Sequence, residues 1–129
     1  MADVMVSPVA ALALVGWLNA RSQMATVWVA TEWHQQMPCV IVTRIGGAVR
    51  NVVTDEPTML IEVYHNSQAE AEDLAEVVQG LVDSLPGETI GGAFVRRVSW
   101  LSGPVVYPDA NQRTRVQMSF GMTLRRHSI

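Results

Sequence analysis

The stretch from Thr58 to Leu85 constrains this chain more than any other. Met59 to His65 is an apolar run of strand length, and helical periodicity begins almost directly after it. Ser67 and Glu70 form an S-x-x-E capping box, in which each side chain satisfies an orphan backbone donor of the first turn. From there Ala71, Leu74, Ala75, Val78, Leu81, Val82 and Leu85 recur at the spacing of one helix face, and Pro86-Gly87 ends the run. Glu70, Glu72, Asp73, Glu76 and Asp83 lie off that stripe. The spacing therefore predicts a helix laid on a sheet, with an acidic side turned to water or to a partner.

Before this element, Ser7-Pro8 reads as a helix start, with Ser as N-cap and Pro at the first helical position, and the helix runs to about Asn19. Its residues are apolar almost all round, which asks for burial on several sides or cover from a neighbouring subunit. Thr26 to Ala30 is a short β-prone piece, and Cys39 to Ile45 a firm strand. Gly46-Gly47 reads as a tight turn into a second strand, Ala48 to Val53, and Asp55-Glu56-Pro57 as punctuation.

After the flexible Gly91-Gly92, Ala93 to Tyr107 is β-rich, with a bulge or bend expected at Gly103-Pro104. Pro108 to Gln112 makes a turn. In the last segment Thr114, Val116, Met118, Phe120, Met122 and Leu124 alternate with Arg113, Arg115, Gln117, Ser119, Thr123 and Arg125, the pattern of a half-buried strand. The expected fold class is α+β: a mostly antiparallel sheet with two helices packed against it and a long C-terminal β-hairpin, in one domain over 1–129.

Composition narrows the chemistry. No apolar run reaches the ~18 to 20 residues that span a bilayer, so no membrane partner is expected. The segment before Val9 carries Asp3 and no Lys or Arg, unlike a secretory signal. The single cysteine, Cys39, excludes an intramolecular disulfide and fits a reducing compartment. All nine basic residues are Arg, which rules out a Walker lysine and a lysine Schiff base.

His34, Cys39, His65 and His127 show no metal-ligand spacing, and no cofactor is expected. Ser99 and Ser102 lack a nucleophile elbow, and the acids of the second helix read as a solvated face and not a catalytic pair. The glycine pairs lack a phosphate-loop pattern. Of Trp17, Trp28, Trp33 and Trp100, only Trp100 lies near basic residues as base stacking would want, so packing is the better reading for the group. No catalytic or metal site is assigned, and the chain does not read as an enzyme.

Charge is split along the chain, near +5 from Arg96 onward and near −8 before it, for a net −3. Such asymmetry fits a nucleic-acid patch or complementary surfaces between copies, and the acidic total favours copies. Arg96 and Arg97 are adjacent on a strand and so should face opposite sides of the sheet. Arg113, Arg115 and Arg125 share one face of the last strand. This ridge is the expected partner of Glu72, Asp73 and Glu76 on a neighbouring copy, the plain alternative being solvated charge of little energetic worth.

The stretch MLIEVYHNSQAEAEDLAEVVQGLVDSLPG, a strand with a Tyr followed by a polar cap, an Ala-rich helix start and a leucine-rich end, together with the Arg-closed final strand VQMSFGMTLRR, resembles the tail terminator proteins of long-tailed, siphovirus-type bacteriophages. The likeness is one of pattern and order over almost the whole chain. It implies a homohexameric ring on the finished tail tube, which stops tube growth, faces the tail tube protein and the head connector or stopper protein, and lets DNA pass through its channel without sequence-specific binding. It also implies a place in the virion at the neck, and in the host cytoplasm during assembly. Hairpin tips project from a rigid sheet, so loops at Gly46, Gly47 and at Pro108, Asp109, Asn111 are the expected contacts to tube or connector. Three rivals stay open: a head-to-tail adaptor or stopper ring, a small-molecule-binding α+β domain, and a DNA-binding module using the C-terminal arginines.

Overall fold

A computed structural model describes residues 4–129. In chain order the elements are β1 (Met5–Val6), α1 (Ala10–Asn19), a 3-10 turn (Ser22–Met24), β2 (Trp28–Ala30), β3 (Cys39–Asn51), β4 (Thr54–Tyr64), α2 (Gln68–Asp83), β5 (Thr89–Ile90), β6 (Ala93–Val106), β7 (Arg115–Arg125) and β8 (His127–Ser128). Six strands form one sheet in the order β2-β3-β4-β7-β6-β5, antiparallel except for the short β2-β3 pair. The fold is α+β, and β6 with β7 forms the long C-terminal hairpin. A feature the sequence did not reveal is a small second sheet, in which β8 pairs with β1 and ties the two ends of the described chain together.

Strand alternation decides which face the helices cover. Met59, Ile61 and Val63 of β4, and Val116, Met118, Phe120, Met122 and Leu124 of β7, are at most 1% exposed. They join Leu14, Trp17 and Leu18 of α1 and Ala71, Ala75, Val78 and Val82 of α2 in one apolar cluster. Alanines at the start of α2 let that end sit close to the sheet. Ser67 accepts a hydrogen bond from the Glu70 backbone N–H at 3.2 Å and donates to the Glu70 carboxylate at 3.1 Å, so the helix begins where the capping box places it. Both helices lie on this one face. The other carries a small buried apolar group of Cys39, Ile41 and Tyr64.

Two local expectations are corrected. First, α1 begins at Ala10 with Val9 as its N-cap, two residues after the Ser7-Pro8 signal. Proline biases the residue before it to extended backbone, and the preceding residues Met5 and Val6 are already committed to pairing with β8. Second, Gly46-Gly47 is no turn. β3 runs straight through it, and the hairpin closes at Val52-Val53, where the Asn51 side chain accepts the Val53 N–H at 3.0 Å. The glycines instead make a bulge: the register shifts between Arg44 and Gly46, and Gly47, at φ +87°, faces Pro57. Gly91-Gly92 forms the two-residue turn between β5 and β6 with both φ positive, and it is packed tightly. A Cβ on Gly91 would lie 2.8 Å from Pro8.

Candidate functional site

The acidic side of α2 is where the sequence places it. Glu72, Asp73 and Glu76 are exposed, on the helix surface turned away from the sheet. Beside them, one turn after Asp73, stands an exposed apolar side chain, Val77, at 40% exposure.

The expected arginine ridge does not survive as one surface. Arg113 binds Asp109 at 2.6 Å and stacks over the Trp33 ring, 4.0 Å from its centroid. Arg115 binds Glu62 of β4 at 3.0 Å and donates to the Tyr107 carbonyl at 2.9 Å. Both are satisfied inside their own chain. Arg125 alone is exposed, and it stands at the far end of β7, about 33 Å from Arg115 at the rise of an extended strand.

The turn expected at Pro108 to Gln112 is present, but Asp109 builds it and does not project from it. Its carboxylate accepts the backbone N–H groups of Asn111 and Arg113, both at 2.9 Å, as well as the Arg113 side chain. Desolvation pushes its pKa up, but the Arg113 hydrogen bonds, the Asn111 N–H and the Arg113 charge outweigh this and hold it below the usual 3.8. A carboxylate whose folded pKa is depressed gives stability that is present above its unfolded pKa and lost as pH falls through the folded value. Asp109→Asn is therefore expected to flatten the acid limb of the stability profile below about pH 4. Thermal melts from pH 7 to pH 2 check this, and parallel profiles for the two proteins would contradict it.

What sequence reasoning missed lies at the other end of the sheet. The register of β6 against β7 shifts between Val95 and Arg97, making Arg96 an extra residue. Adjacent arginines expected on opposite faces therefore line one cleft, of about 360 Å³, with Arg50, Asn51, Thr54 and Thr123. Arg97 donates to the Thr123 hydroxyl at 3.4 Å, and Arg50 meets Glu56 at 3.4 Å in an exposed pair worth little. Arg125 projects from the same end of the sheet, where it pairs in register with Thr54 and Phe94. Four guanidinium groups thus gather at one corner, and no alternation rule would have gathered them.

Other chemistry is thin. Trp100 donates to Asp83 of α2 at 2.7 Å and leans on Phe120, so it braces helix to sheet. Trp28 stacks on His34 at 4.3 Å. Cys39 is fully buried, and desolvation raises its pKa. Among the described residues no three His, Cys, Asp or Glu side chains gather as metal ligands would. A cleft of about 540 Å³ lies between the start of α1 and β3, and its charges are engaged: Arg44 with Asp55, and Arg126 with the carbonyls of Val52 and Met5. No helix is long and apolar enough to cross a membrane among the described residues.

The free charges therefore lie on two surfaces, the outer side of α2 and the arginine corner. A family model described as phage tail termination protein matches residues 3–128. The chain belongs to that family. As a tail termination protein it is a structural component of the phage tail, which accords with a molecule whose free charges lie on open surfaces. No curated protein matches the chain. One solved structure aligns over 92% of this chain and 93% of its own with a TM-score of 0.52 and 17% identity, a likeness of fold alone.

Proposed function

We propose that this tail termination protein assembles as a homohexameric ring on the end of the tail tube, halts addition of tube subunits and offers its free side to the head connector or stopper protein. The observation that carries this reading is the family match across nearly the whole chain. DNA passes through the ring without base recognition, and no cofactor takes part. The protein works in the virion at the neck, after assembly in the host cytoplasm. A ring needs two different surfaces of one chain that fit each other. The acidic helix and the basic corner are a pair of that kind.

Light scattering on the purified protein at two salt concentrations tests ring formation. A species near six times 14.1 kDa is expected at low salt, shifting toward the single chain at high salt as charge contacts are screened. A mass of 14.1 kDa at every concentration and salt would contradict assembly by the protein alone.

A further inference from the structure

Resting on the ring reading above, we propose that the ring closes by docking the outer side of α2 of one copy onto the uncovered sheet face of the next, with Glu72, Asp73 and Glu76 seated at the Arg50, Arg96, Arg97 and Arg125 corner.

Five of the nine arginines are already engaged within their own chain. Arg44, Arg113 and Arg115 pair with Asp55, Asp109 and Glu62 in their own chain. Arg126 is held by backbone carbonyls, and Arg21 lies over its neighbour Trp17. That leaves the four arginines of the corner, three of them lining its cleft, with only the weak Arg50–Glu56 pair and the Arg97 hydroxyl contact among the described residues. The positive charge of the C-terminal part is thereby concentrated at a place the alternation pattern did not indicate.

The two surfaces also face apart. Both helices cover the face that carries Met59, Ile61, Phe120 and Met122, so the acids of α2 point outward from that layer. Thr123 and Arg125 alternate with Met122 and Leu124 along β7 and belong to the opposite, uncovered face, as does Arg97, which reaches Thr123. Acid and base therefore cannot satisfy each other within one chain. They meet only between copies, helix layer to sheet face, and a contact between unlike patches is head-to-tail and closes into a ring when its rotation permits.

The uncovered face has an apolar component as well. Leu101 and Val105 of β6 are 65% and 51% exposed, and they border clefts shared with Thr58, Ser99, Gly121, Leu60 and Ser119. On α2 the exposed Val77 lies in the same stripe as Asp73 and Glu76. An apolar centre bordered by opposite charges is the anatomy of a protein interface, in which the charges chiefly set register and encounter rate.

The test uses two half-swapped variants of the full chain. Arg96→Glu, Arg97→Glu and Arg125→Glu together make both surfaces acidic, and Asp73→Arg with Glu76→Arg makes both basic. Each alone is expected to fall from ring mass to 14.1 kDa with an unchanged circular dichroism spectrum. Mixed in equal amounts they should restore ring mass, because acidic and basic copies can alternate round an even-numbered ring. The neutral pair Arg97→Gln with Arg125→Gln, milder for folding, should weaken assembly and reduce its salt dependence. Rings that persist in both half-swapped proteins would overturn this assignment and leave the ring reading standing. Arginine variants that keep the ring but lose retention of duplex DNA would also overturn it, giving the corner to the DNA backbone. A wild-type protein that is never larger than one chain would overturn ring closure by the protein alone, on which this assignment rests.

Discussion

Phe120→Ala is expected to lower the stability of the chain by about 3 to 5 kcal/mol, the cost of emptying a large buried aromatic site. Phe120 is fully buried at the centre of β7, paired in register with Met59 on one side and Trp100 on the other. Its ring lies 5.2 Å from that of Trp100, which in turn is tied to α2 through Asp83. The substitution therefore leaves a void between helix and sheet and removes an aromatic contact worth about 0.5 to 1.5 kcal/mol beyond its area. Set against a typical total of about 5 to 15 kcal/mol, the loss is a large share of the whole. Urea denaturation measures it. Leu101→Ala, on the uncovered face of the neighbouring strand, serves as the comparison and should change stability by no more than about 0.5 kcal/mol. A Phe120→Ala loss below about 1 kcal/mol would mean that the core is not built as described.

The second large effect is expected at Gly47. A methyl group there would stand 2.0 Å from the Glu56 carbonyl oxygen and 2.8 Å from the Pro57 Cα, both backbone atoms, at a φ of +87°. Side-chain motion cannot relieve that contact, so Gly47→Ala must either move β4 or break the pairing of Ala48 to Asn51 with Thr54 to Glu56. Two other glycines separate the causes. Gly46→Ala meets nothing within 4 Å and has an ordinary φ, so it should cost little. Gly87→Ala also has open space but sits at φ +94°, and should show only the left-handed backbone penalty of about 1 to 2 kcal/mol. The expected order of destabilisation is Gly47 well above Gly87, and Gly87 above Gly46. Equal losses at Gly46 and Gly47 would contradict the bulge.

The parts of the fold that were legible in the sequence are those written by local rules. The Ser67–Glu70 cap and the apolar stripe of α2 act within four or so residues, and the alternation of β7 follows from strand geometry alone. Gly46-Gly47 misled because a glycine pair signals a turn, whereas here it allows close backbone approach opposite a proline, and the turn falls to an asparagine. The arginines show the same limit more sharply. Alternation tells which face a side chain takes, but not what stands across from it: Glu62 answers Arg115 from another strand, 53 positions away. Nor does adjacency reveal a bulge, and it is the irregularity at Arg96 that brings two arginines to one cleft. The charge split was thus readable as a property of the chain, while its location at one corner was not.

On the proposed function, this protein ends tail-tube growth by capping the tube. The most direct measurement is the length distribution of tubes grown from the phage's own tube subunits, imaged by electron microscopy with and without the purified protein. Tubes are expected to stop elongating once the protein is added and to carry a ring at one end. Tubes that continue to lengthen with bare ends, at protein concentrations in excess of tube ends, would contradict it.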